Sequence, residues 1–434
     1  MKCKTCIFLE NKKKTDWVIF ENLEKVESKT LTEEGSAIRL NSGKYRKLKA
    51  ISSVDPDVLY STCKQFLPLN ELEVLNKWEP SWGKVREDIL NSKVELWNQC
   101  MHESACQYAP EVVSTKAYWK SVQQHIWFCT SSSELKEDIR TCFMLDFYIT
   151  VQKEGRTKQS NLTRSWLSPI NVQEEDLQEL VLYTANAAME KLDARPFPSG
   201  SYALILGPLA APGIFHEVVG HGLEADIASI PQSAFHQRLG AMVGCEKVTI
   251  IDDPTKEGLP GSYSLDDEGT IAQQTTLIEK GRVVNYLSHL HTGHPTNGHG
   301  RVINYQHLPL VRMSNTFLLP GTDDPEEMVS DTEVGLYVKK AINGDVNMIT
   351  GEFEIHVAEG YLIEKGQITS PILPTTLKGD GQKLLQSIDR VGNDFAIHSE
   401  VRGGCGKLGQ SPLPVSAGSP TVRVLDWYVK GADR

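Results

Sequence analysis

The sequence predicts an α+β chain: an N-terminal domain of mixed helix and sheet over residues 1–195, followed by a larger β-rich domain over residues 196–434. Three observations predict it. Helical and strand periodicities are interspersed up to about residue 195, the Pro/Gly-containing stretch "RPFPSGS" interrupts the pattern there, and strand signals dominate beyond it.

In the first domain, "DWVIF" (16–20), "SAIRL" (36–40), "EVVSTKAYW" (111–119) and "CFMLDFYITVQ" (142–152) read as strands, being rich in β-branched and aromatic residues. Residues 56–72 and 84–105 read as helices. The last element carries Leu177, Leu180, Val181, Ala185, Ala188, Met189 and Leu192 at helical spacing; acidic residues open it and it stops before Pro196. In the second domain two segments share Leu-Ile-Glu-Lys-Gly, at Leu277–Gly281 and Leu362–Gly366. Each is expected to form a tight hairpin with a bulge, the glycine taking a positive φ.

Composition excludes several function classes. A formal charge of −11 over 434 residues disfavours a nucleic-acid partner. No apolar run approaches the roughly 20 residues of a membrane span, and the N-terminal apolar run is too short for a secretory signal, so a cytoplasmic protein with no membrane partner is expected. Nine cysteines spread along a long chain suggest reduced thiols. Cys3 and Cys6 form a C-x-x-C, but no second pair follows at zinc-ribbon spacing.

The stretch with most chemical content is "FHEVVGHGLEAD", Phe215 to Asp226, in which His216 and Glu217 are followed by His221. A regular helix advances about 100° per residue, which would set His216 and His221 about 140° apart and deny them a common ion. A turn widened to i→i+5 would stack them, and Gly220 and Gly222 are expected to ease that departure of the backbone. The helix is expected to begin near Gly213. Two histidines need a third ligand, and two candidates present themselves: Glu224 on the same helical face, and Cys405 in the glycine-dense "RGGCGKLGQSPLPVSAGSP". Two imidazoles and a thiolate suit zinc, a borderline-soft ion.

"HEVVGHGLEAD", "GSYSLDDEGT", "RMSNTFLLPG", "GYLIEKG", "VGNDF" and "CGKLGQSPLPVSAGSPTVRV" occur in this order. Together they resemble the metal-bearing subunit of the TldD/PmbA family of metallopeptidases, from about Ser199 to the C-terminus. The resemblance implies that His216, His221 and Cys405 hold Zn2+, that Glu217 is the catalytic base, and that Glu224 supports a ligand or packs the helix. It further implies a peptidase domain acting on short or unfolded peptides bound as an added strand, in a dimer with itself or with a sister subunit lacking the metal ligands. The N-terminal domain matches weakly, "GSAIRLNSGKYRK" being a degraded form of the family's glycine-rich strand pair. His299 and His356 stand where smaller or different residues are expected, which bears on substrate choice.

Other residues are candidates for assisting roles. Arg312 and Asn315 in "RMSNT" could bind peptide backbone or a terminal carboxylate, arginine offering a bidentate fork. The five histidines between His289 and His307 read as a flexible rim of the substrate cleft, and Asp266, Asp267 and Glu268 as a turn. The function expected is hydrolysis of peptide bonds by a metal-activated water with Glu217 as base. The alternatives are an amide hydrolase tailoring a peptide-like intermediate in natural-product biosynthesis, and a non-catalytic scaffold with structural zinc, against which the presence of Glu217 argues.

Overall fold

A computed structural model describes residues 4–42, 45–53, 55–65, 89–130, 136–399 and 404–431. Its first half is built from β1 (Lys4–Glu21), β2 (Glu24–Ser42), β3 (Tyr45–Ile51), α1 (Pro56–Cys63), α2 (Ile89–Tyr108), β4 (Val112–Thr130), β5 (Lys136–Lys153), β6 (Arg156–Trp166) and α3 (Glu174–Glu190). The strands form one antiparallel sheet in the order β3-β2-β1-β4-β5-β6. Alternation along each strand separates its faces. Trp119, Phe143, Leu145 and Phe147 lie under α2 and α3, against Val94, Met101, Leu177 and Leu180. A capping box between Gln173 and Asp176 starts α3.

All four strands read from the sequence exist, β3 begins on the second half of the degraded strand pair, and β6 was not foreseen. β6, "RTKQSNLTRSW", is an edge strand whose polar residues carry little apolar alternation, and β3 is likewise short of it. Of the expected helices, Pro56–Cys63 and Ile89–Tyr108 are helical; 66–72 and 84–88 lie outside the described residues, as does Cys3.

The second half holds two larger sheets, making the molecule mixed α/β with strands predominating. In one, Val334–Val346, β7 (Gly200–Leu209), Val422–Lys430, Thr375–Asp380 and Glu352–Glu364 pair in succession, and pairing of the first with the last closes the ring. The other contains Ile250–Asp252, Asn315–Leu318 and Ser416–Ser419 at its centre. A single apolar core, with members from Phe197 to Val429, lies between them and surrounds the histidine-bearing helix. Both Leu-Ile-Glu-Lys-Gly segments are hairpins, but the expected bulge at the turn is absent. Lys280 and Gly281 (φ 46° and 76°), and Lys365 and Gly366 (φ 52° and 73°), form two-residue turns in which both residues are left-handed, the mirror-image turn that matches strand twist. No helix among the described residues is long and apolar enough to cross a membrane.

Candidate metal centre

β7 delivers the chain into α4 (Ala211–Phe215), which runs directly into a widened turn over His216–Gly220. The helix starts two residues earlier than Gly213, because Pro212 fits the first helical turn, where a missing N–H costs nothing. The His221 N–H donates to the His216 carbonyl at 3.3 Å, the i→i+5 bond that turns both imidazoles to one side. Gly220 and Gly222 serve this turn for a reason other than backbone freedom, since neither has a positive φ. A Cβ on Gly220 would lie 1.8 Å from Met313 Sδ, and one on Gly222 would lie 2.5 Å from Phe235 Cδ2. They provide packing space.

Cys405 arrives on a short strand, Cys405–Lys407, paired with Gln410–Leu413. The Arg312 guanidinium fixes this hairpin, donating to the Cys405 carbonyl at 2.6 Å and to the Gln410 carbonyl at 3.1 Å. One ligand atom from each of His216, His221 and Cys405 lies within 4.8 Å of the others, and all three residues are buried. Cys405 Sγ is 3.1 Å from His221 Nε2, and the two imidazole rings stand nearly perpendicular at 82°. Glu217 is partly exposed, with Oε2 3.9 Å from His221 Nε2.

Behind the cluster sits a second layer of charge. Glu224 Oε2 lies 3.2 Å from His221 Nδ1, and Lys407 Nζ donates to Glu224 Oε2 (2.8 Å), Asp226 Oδ1 (2.7 Å) and the Val311 carbonyl (3.0 Å). Burial alone would raise the Cys405 thiol, but His221 and His216 outweigh it and hold the thiol well below its ordinary range. Burial would lower His221; Cys405 and Glu224 outweigh it and raise His221 well above 6.5. Burial would raise Glu224, but Lys407 and His221 bring it down to about 2. The fold thus stabilises a thiolate beside two histidines, with Glu224 directing His221 Nε2 toward it. This donor set fits zinc, because a divalent cation takes the place of the imidazolium protons and leaves the thiolate as a ligand.

Lys407 in the sequence argues against a plain core position for Cys405, but its tie to Glu224 was not read there. The available signal was its position two residues after Cys405, which puts both side chains on one face of a strand. The other expected site residues are placed elsewhere. Arg312 and Asn315 are fully buried, Asn315 donating to the Asp253 carbonyl at 2.8 Å, so neither is presented to a cleft. His299 is buried between Asp252 (2.9 Å) and Asn297 (3.0 Å), and His356 is an exposed residue of the strand Glu352–Glu364, beside Thr376. The histidine-rich stretch is no loose rim: His289 and His291 flank the buried Glu268 at 3.5 and 3.7 Å. The acidic turn at 266–268 is likewise tied down, Asp266 accepting from the N–H groups of Glu268, Thr270 and Gly300.

The chain is 36% identical over 306 residues to a metalloprotease of Methanocaldococcus jannaschii, covering 70% of this chain and 66% of that protein. It is 33% identical over 333 residues to a metalloprotease TldD homolog of Buchnera aphidicola, covering 74% and 68%. The matches therefore span about two thirds of these relatives' length. A solved structure from Thermotoga maritima superposes with a TM-score of 0.79 at 19% identity, covering 98% of this chain and 96% of that one. TldE from Thermococcus kodakarensis superposes with 0.77 at 15% identity, covering 99% and 96%. At such identities the likeness concerns the fold. Residues 199–431 match the family described as the PmbA/TldA metallopeptidase C-terminal domain, and the chain belongs to the TldD/PmbA family of metallopeptidases.

Proposed function

We propose that the protein hydrolyses short or unfolded peptides with zinc held by His216, His221 and Cys405 and with Glu217 as general base. The observation that carries this reading is the convergence of the three ligand atoms across the widened turn, with the partly exposed Glu217 carboxylate beside them. The chemistry that bound zinc supplies is Lewis acidity, which lowers the pKa of a water toward neutrality and polarises a carbonyl. Glu217 takes the proton of the attacking water and returns it to the leaving amine. Glu224 and Lys407 hold His221 in the orientation that leaves Nε2 available. Arg312 holds the Cys405 backbone rather than substrate.

The division into 1–195 and 196–434 is supported by two apolar cores, whose members run from Val18 to Leu192 and from Phe197 to Val429. A dimer, either of this chain or with a metal-free sister, is supported by the likeness to TldE in fold. A cytoplasmic setting agrees with the free thiols of Cys100, Cys106, Cys142, Cys245 and Cys405. The test is zinc per chain and peptide cleavage in wild type, Cys405→Ser and Glu217→Gln. Loss of zinc in Cys405→Ser, and retained zinc with lost cleavage in Glu217→Gln, are the expected results. Full zinc in Cys405→Ser, or unchanged cleavage in Glu217→Gln, defeats the reading.

A further inference from the structure

The N-terminal sheet ends in an edge that is only half covered. β3 pairs with β2 from Ser36 to Ser42, and among the described residues no strand pairs with the outer edge of β2 before Ser36. On its inner edge β2 keeps a regular register against β1, from Glu27 opposite Ile19 to Gly35 opposite Asn11. Two features bound this stretch. The register steps over Val26 between Glu27 and Lys25, a bulge, and at the other end a Cβ on Gly35 would lie 2.3 Å from the Tyr305 ring. Ser28 to Glu34 is left as a regular run whose outward main-chain donors and acceptors have no strand beside them.

The side chains of this run are open on both faces. Residues 28–32 and Glu34 are exposed, and Leu31 at the middle is 45% exposed. Lys29, Leu31 and Glu33 share the face of their β1 partners Trp17, Thr15 and Lys13, and on the opposite face Thr30 donates to Asp16 at 2.6 Å. An edge guarded against pairing carries proline, or sets like charges where a second strand would lie. Ser28–Glu34 has no proline, and its charges are of both signs.

Those charges complement a second copy of themselves in one register. Two copies related by a two-fold axis meet antiparallel, and opposite residues share a face, so the axis passes through a residue. An axis at Ser28 would run the pairing across the bulge, and one at Thr32 would bring in Ser36, which β3 already holds. An axis at Lys29 opposes that lysine to its own copy, and one at Thr30 opposes Glu27 to Glu33. An axis at Leu31 opposes Lys29 to Glu33 on both sides, Thr30 to Thr32, Ser28 to Glu34, and Leu31 to its copy, with no like charges facing. We propose that a second copy of the chain docks on this edge, Ser28–Glu34 pairing with Ser28–Glu34 about an axis at Leu31 and joining two six-stranded sheets. This deepens the dimer reading above and rests on it for self-association; it makes no use of the zinc site.

The test is sedimentation velocity on the full chain over a concentration series, for wild type, Lys29→Glu, Glu33→Lys and an equimolar mixture of the two variants. Wild type is expected to sediment as a dimer. Each single variant should raise the dimer dissociation constant about 10-fold or more, because both symmetry-related pairs turn repulsive together. The mixture should dimerise as wild type does, since the two acidic positions of one variant then face the two basic positions of the other. Melting temperatures confirm that each variant folds. A wild-type dimer that both single variants leave intact overturns the edge pairing and leaves a dimer through another surface. A mixture of folded variants that stays monomeric overturns it as well. Wild type that is monomeric at every concentration removes self-association altogether, and with it this proposal, while zinc content and peptide cleavage stand or fall separately.

Discussion

Glu224 and Lys407 carry more of the metal centre than their distance from its ligand atoms suggests. Glu224 is fully buried, and its charge is tolerated because Lys407 and His221 face it. Replacing it with glutamine keeps the shape and weakens the hold on His221 Nδ1. Glu224→Gln is therefore expected to lower zinc affinity 10- to 100-fold, measured by competition with a chelator. Lys407→Met should instead cost about 3 kcal/mol of stability, since it leaves Glu224 buried without its cation. The double variant Glu224→Met/Lys407→Met is expected to cost less than the sum of the two single changes, a coupling that denaturant titration would read. His216, Glu217 and His221 were legible as a unit because they lie within six residues. Cys405, 184 positions from His221, stood beside Glu224 as one of two candidate third ligands, and likeness to a family chose between them.

At the scale of elements, the widened turn is decided by packing. Gly220→Ala is expected to destabilise the protein by about 1–3 kcal/mol, because its Cβ would sit against Met313. Adding Met313→Ala should recover part of that loss in a thermal melt. A loss unchanged by Met313→Ala would mean that backbone conformation, and not space, requires the glycine. The same distinction explains what could be read from the chain. The i→i+5 turn followed from the angular arithmetic of His216 and His221, whereas the role of Gly220 depended on a methionine 93 positions away. Strands with apolar alternation, such as β4 and β5, were visible; β6 was not, since an edge strand satisfies itself with polar residues.

At the scale of the whole molecule, Glu359 ties the two halves together. It lies on Glu352–Glu364 and is reached by Ser160 of β6, by Tyr183 of α3 at 2.8 Å and by Lys191 at 3.3 Å. Burial would raise its pKa, but Lys191 and Lys340 outweigh it and lower it below the ordinary 4.5. The unfolded chain therefore binds this proton first on acidification. The stability Glu359 contributes is present above about pH 4.5 and is lost as pH falls through its lower folded value. Glu359→Gln is expected to lower stability by about 3 kcal/mol at neutral pH and to flatten the fall in melting temperature below pH 4.5. A melting curve of unchanged steepness in the variant would show that other carboxylates govern acid unfolding. By itself the sequence determined the α+β character, the two hairpins and the histidine pair, because periodicity and turn chemistry act over a few residues. Only the tertiary structure decided that Arg312, Asn315 and His299 are buried and that Lys407 meets Glu224. Those contacts depend on how strands distant in the chain pair and close into sheets, and no local pattern of residues encodes that register.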